Sequence, residues 1–135
     1  MRYMMLIYTK EGDPDSTCPE EAERIRQGHT QVITETRKRG MLVAVNPLAR
    51  TSNATTVRID NGKPLVTDGP FAETKEQLAG YYVLDCKDLD EAIVWAAQIP
   101  TTCGGSLGSI EIRPLQELPG VPESILRAHS DVGSV

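Results

Sequence analysis

Basic side chains are in short supply. Lysine and arginine number 14 against 19 acids, for a formal charge of −5. The chain therefore lacks the cationic surface that phosphate backbones demand, and nucleic acid is not an expected partner. Long apolar runs are missing as well, and none approaches the roughly 18 residues of a membrane span. The opening MRYMMLIYTKEG is apolar but has neither a small-residue cleavage site nor a long enough apolar stretch for a signal peptide. It reads as a first strand, and the expected location is the cytoplasm. Cysteine is scarce: Cys18, Cys86 and Cys103 are scattered, odd in number and without a C-x-x-C spacing. That removes the pattern for zinc or thioredoxin-like chemistry and for a disulfide framework, and reduced thiols are expected. The histidines, His29 and His129, have no ligand spacing, so no metal site is expected. Gly104-Gly105 is a loop, because no strand and helix flank it as a phosphate cradle requires.

With 135 residues the chain fits one domain with a real core. YMMLIY (3–8) reads as a strand with apolar side chains on both faces. A polar loop follows, and then Thr17 as a cap, Pro19 in the first turn and Glu20 three residues after the cap announce a helix. Ala22, Ile25, His29, Val32, Ile33 and Thr36 fall at helical spacing. RKRG closes the helix, with cations at the negative dipole end and Gly40 as the stop. MLVAV (41–45) is a second strand, broken by Asn46 and Pro47. TTVRID and KPLVT flank Asn61-Gly62, a hairpin signal because both residues tolerate positive φ. YYVLDC (81–86) is again apolar on both faces. Asp88 and Glu91 form a capping box for a helix whose apolar stripe is Ala92, Ile93, Ala96 and Ala97, ending by Pro100. SIEIRP (109–114) alternates as a last strand. Residues 119–135 read as an arm or frayed tail, with one helical turn at PESILRA.

Each half of the chain thus reads strand, helix, strand. Two such units give the split βαβ arrangement of a ferredoxin-like α+β fold, βαββαβ, with the hairpin inserted between the halves. Two helices cover one face of a four-stranded sheet and leave the other bare. Because the strands at 3–8 and 81–86 are apolar on both faces, something must bury the second face. The economical choice is a second copy of the same sheet, packed face to face, so a homodimer is expected.

The stretch VTDGPFAETKEQLAGYYVLD (66–85) carries a resemblance. With Asp68-Gly69-Pro70-Phe71 at its centre it resembles the DGPF branch of the YCII-related proteins. MRYMMLIY at the start, a histidine in the first helix, the long run from ATTVRID to QIP, and IEIRPL fit the same pattern through residue 118. The resemblance implies a single domain over 1–118 and a dimeric α/β barrel built of ferredoxin-like protomers. It also implies a His–Asp pair suited to acid–base work, and a regulatory setting beside sigma factors of the extracytoplasmic-function type. The wider superfamily includes monooxygenases, isomerases, lyases and plain ligand binders, so the fold does not choose a reaction.

Several residues are candidates for the site, each with a plainer alternative. His29 lies on the buried stripe of the first helix, where an imidazole needs a partner and near neutral pH can take or give a proton; otherwise it is a satisfied histidine at a helix–sheet seam. Asp68 is the carboxylate that could partner it, or a turn residue bonding the backbone ahead of it. Gly69 and Pro70 shape the turn. They fix the direction of Phe71, the one phenylalanine of the chain, which lines a pocket or pins the loop. Glu73 is a second acid candidate. Arg113, on the same strand face as Glu111, could clamp a substrate carboxylate or pair with an acid. Two functions follow. One is a small-molecule enzyme or binder in which His29 and Asp68 move a proton without a cofactor. The other is a non-catalytic module that binds a sigma-factor-related partner.

Overall fold

The computed structural model describes residues 1–12, 18–101 and 108–126. Thr17, Cys103, the Gly104-Gly105 doublet and His129 lie outside the described residues. The elements run β1 (Arg2–Thr9), α1 (Pro19–Lys38), β2 (Leu42–Pro47), β3 (Thr55–Asp60), β4 (Lys63–Asp68), β5 (Gln77–Asp85), α2 (Leu89–Ala96), β6 (Ser109–Pro114) and α3 (Glu123–Leu126), with one 3-10 turn at Thr51–Asn53. β1, β2, β5 and β6 form a sheet in the order β2-β5-β1-β6, all antiparallel, and β3 and β4 form a separate ribbon. This is the ferredoxin-like α+β fold with an inserted hairpin. The four-stranded sheet is open, and one chain closes no barrel.

Strand alternation decides what is inside. Tyr3, Met5 and Ile7 of β1 and Tyr82 and Leu84 of β5 point to the helices and join Val32 and Trp95 in the core. Ile110 and Ile112 of β6 pack on the same side. In β2 the register slips between Leu42 and Ala44. This one-residue bulge lets Leu42 and Val45, three apart, both face the core. β2 also runs through Asn46 and Pro47 rather than stopping before them. An edge strand tolerates a proline because one side of it makes no ladder bonds.

The N-terminus of α1 is capped differently from the expectation. The N-cap of α1 is Cys18, which makes no side-chain capping bond, with Pro19 opening the first turn. The other end is a Schellman motif: Gly40 at φ 72° donates to the Arg37 carbonyl at 3.1 Å, and Met41 donates to the Thr36 carbonyl at 2.8 Å. In α2, Asp88 accepts from the Glu91 backbone at 2.9 Å, as its spacing foretold. Its buried stripe is Ala92, Trp95 and Ala96, however, and Ile93 and Ala97 face outward. The bulky Trp95 turns the helix about its axis, and the Arg39 guanidinium stacks over its ring at 5.4 Å. At the hairpin tip Asn61 and Gly62 take φ of 50° and 76°, the conformation that a two-residue turn between twisted strands requires.

Candidate functional site

Ile25, His29 and Ile33, each four residues from the next, line up along α1 beside its fully buried stripe. They form one wall of a cavity of about 380 Å³. β5 supplies Ala79 to Tyr82, and Val45 and Pro47 of β2, Ile7 of β1, and Pro100 complete most of the lining. Three local features open this space. The β1–β5 register shifts between Ile7 and Tyr8, which leaves Ala79 as the extra residue of a bulge. Gly80 lets the end of β2 come close, since a Cβ there would stand 3.0 Å from the Asn46 carbonyl oxygen. Gly28 does the same for the helix, because a Cβ there would stand 2.5 Å from the Pro100 ring.

The polar centre of this cavity is a pair. His29 Nδ1 and Tyr82 Oη lie 2.7 Å apart, with the two rings only 12° from parallel. Tyr82 is 1% exposed. Burial lowers the His29 pKa from its ordinary 6.5, which favours the neutral imidazole. Burial pushes the Tyr82 phenol up from 10.0 to about 12. Nδ1 is taken by the phenol, while Nε2 has no hydrogen bond among the described residues, and His29 lines the cavity. Arg26, also in the lining, pairs with Glu23 on the exposed side of the helix.

The residues around the hairpin exit lie elsewhere. Asp68 ends β4 opposite Thr55, exposed, and its carboxylate makes no hydrogen bond among the described residues. Gly69, at φ 96°, donates to the Ala54 carbonyl at 2.7 Å and accepts from the Thr56 hydroxyl at 2.8 Å. The turn is thus tied to the base of the ribbon through its backbone. Gly69, Pro70 and Glu73 line a second, more polar cavity of about 430 Å³ together with Glu11, Arg50 and Gln77. There Glu11 accepts from the Thr51 backbone and from the Thr51 hydroxyl, both at 2.8 Å. Burial works to raise the Glu11 carboxyl, but the two Thr51 bonds and the nearby Arg50 charge outweigh it, and the net shift is downward.

His29 and Asp68 therefore line no common cavity within one chain. Phe71 is 78% exposed and lines neither cavity. Arg113 is exposed on the sheet face away from His29, since Ile110 and Ile112 on the same strand pack toward the helices. No three or more His, Cys, Asp or Glu side chains gather to hold a metal ion among the described residues. No helix there is long and apolar enough to cross a membrane.

The YCII-related domain family matches residues 1–118. The chain belongs to that family. This YCII-related protein is also similar to an uncharacterized protein of Rhizobium meliloti (strain 1021), 41% identical over 115 residues, which span 85% of this chain and 92% of that one. Sequence reasoning missed Tyr82 in this YCII-related chain, although a signal was present. Strand parity puts Tyr82 on the same face as Leu84, and the stripe of α1 puts His29 against that face. Nothing in the sequence pattern foretold the Glu11–Thr51 contact, which joins residues 40 apart.

Proposed function

We propose that this YCII-related protein binds a compact, largely apolar organic molecule in the His29 cavity, with the His29–Tyr82 pair as its polar contact. The observation that supports this is an imidazole whose Nε2 has no hydrogen bond among the described residues, on a mostly apolar wall that also carries Thr9, Asn46 and Thr101. Such a pair can orient a substrate and exchange a proton with it, so acid–base catalysis needing no cofactor is within its chemistry. A His29–Asp68 relay is the competing reading. It requires Asp68, which lines neither cavity, to reach His29, and the phenol already occupies Nδ1. A reducing, cytoplasmic setting fits the unpaired thiols of Cys18 and Cys86. We also place a second copy against the open sheet face, which would complete the barrel.

The test is a fragment titration followed by backbone NMR. Small apolar fragments should shift the signals of Ile25, His29, Ile33 and Tyr82, and His29→Leu should alter which fragments bind. Fragments that gather instead around Gly69 to Glu73, or bind nowhere, would overturn the reading.

A further inference from the structure

Resting on the reading of the His29 cavity as a ligand site, we propose that its ligand is an uncharged carbonyl compound, whose oxygen accepts a hydrogen bond from His29 Nε2–H. The argument begins with Tyr82. Its hydroxyl is buried, carries one hydrogen, and has the Nδ1 of His29 as its hydrogen-bond neighbour among the described residues. Were Nδ1–H to donate to Oη, the phenolic hydrogen would be left without an acceptor in an apolar surrounding. An orphaned buried donor is disfavoured by roughly five- to a hundredfold in the equilibrium. The phenol therefore donates to Nδ1. A neutral imidazole that accepts at Nδ1 carries its hydrogen on Nε2. In this resting tautomer Nε2 of His29 meets the ligand as a hydrogen-bond donor.

The rest of the lining narrows the acceptor. The nearby cation, Arg26, already pairs with Glu23 on the exposed side of the helix. A carboxylate drawn into this apolar space would lose its hydration without a buried counter-charge. A hydroxyl ligand can accept from Nε2 but brings a hydrogen of its own, which must also reach an oxygen of Thr9, Asn46 or Thr101 in the lining, a second bond that a carbonyl does not need. A ketone or aldehyde oxygen asks for what the wall supplies. At about 380 Å³ the cavity suits a single ring with a short substituent. A fixed N–H donor on a carbonyl oxygen would also stabilise the negative charge that develops there on enolisation.

The experiment uses three probes of nearly equal shape: acetophenone, α-methylstyrene with CH₂ in place of the oxygen, and 1-phenylethanol. Binding is followed by titrating the ¹⁵N-labelled protein. Acetophenone should bind about three- to tenfold more tightly than α-methylstyrene, the value of one neutral hydrogen bond. His29→Leu should erase that preference while leaving α-methylstyrene binding in place. Tyr82→Phe, which frees Nδ1, should reduce the preference at least about twofold as both tautomers become populated. Independently of any ligand or variant, imidazole ¹⁵N shifts of the wild-type protein near neutral pH should show Nε2 protonated. Equal binding of ketone and alkene would overturn the carbonyl assignment while leaving the cavity a ligand site. So would tighter binding of 1-phenylethanol than of acetophenone, or an Nδ1–H tautomer. If no probe shifts the cavity signals, the binding reading falls, and this inference with it.

Discussion

Tyr82 and His29 answer pH in opposite directions, and the signs follow from burial. The phenol has its folded pKa raised to about 12 against an ordinary 10.0. Between those values the unfolded chain has lost the proton and the folded chain keeps it, so stability falls as pH rises through the window. The full loss is roughly 2–3 kcal/mol. Tyr82→Phe has no such proton and should leave His29 Nδ1 unpaired at a cost of about 1–2 kcal/mol near pH 7. Urea denaturation should show the wild type more stable at pH 7 and the gap closing or reversing by pH 12. A gap that stays constant would refute the assignment of the shift to Tyr82. For His29 the folded pKa lies below the ordinary 6.5. The unfolded chain then binds a proton that the folded chain refuses, so stability is lost as pH falls below about 6.5. His29→Leu should remove that part of the acid slope.

At the scale of elements, α1 begins on a weak cap. Cys18 occupies the N-cap with extended backbone and no side-chain bond to the first turn, whereas a serine hydroxyl there can accept from a first-turn N–H. Cys18→Ser should raise stability by about 0.5–1 kcal/mol in thermal or urea unfolding. No gain would mean that the first turn frays regardless of its cap. The same helix shows what could be read beforehand. Apolar spacing placed Val32 and Thr36 inward and His29 beside them, and Gly40 marked the stop, because these depend on local periodicity and one φ angle. Asn61-Gly62 was legible for the same reason. The face of α2 was not, since Trp95 outweighs Ile93 and Ala97 in deciding which side is buried. The bulges at β2 and β5 were invisible, because a single unpaired residue leaves no compositional trace. The candidate site divides the same way: His29 was found from its own helix. Its phenol partner, 53 residues on, depends on tertiary packing.

At the scale of the whole molecule, two apolar sheet surfaces lack full cover from the described residues of one chain. The first is the sheet face opposite the helices, where Val83 is buried but Met4, Leu6 and Tyr8 of β1 and Tyr81 of β5 are only half-buried. The second is one face of the β3–β4 ribbon, where Val57, Ile59 and Val66 are 59%, 72% and 59% exposed. A two-stranded ribbon is marginal unless something packs on it. Four strands about 4.8 Å apart and about 20 Å long present roughly 400 Å², and the ribbon adds roughly half as much again. Together they approach the ~800 Å² that each partner contributes to a stable interface. A second copy meeting the first through both surfaces accounts for the apolar residues on each. Light scattering should therefore find a dimer at micromolar concentration. Leu6→Glu puts a charge at the centre of the open face, between Tyr81 and Glu111 in the register, and should weaken association at least about a hundredfold, close to 3 kcal/mol. Ile93→Glu, on the outward side of α2 where the residue is 49% exposed, should leave the dimer intact. A monomeric wild type would remove the second copy, and equal dissociation by both substitutions would move the interface off the sheet.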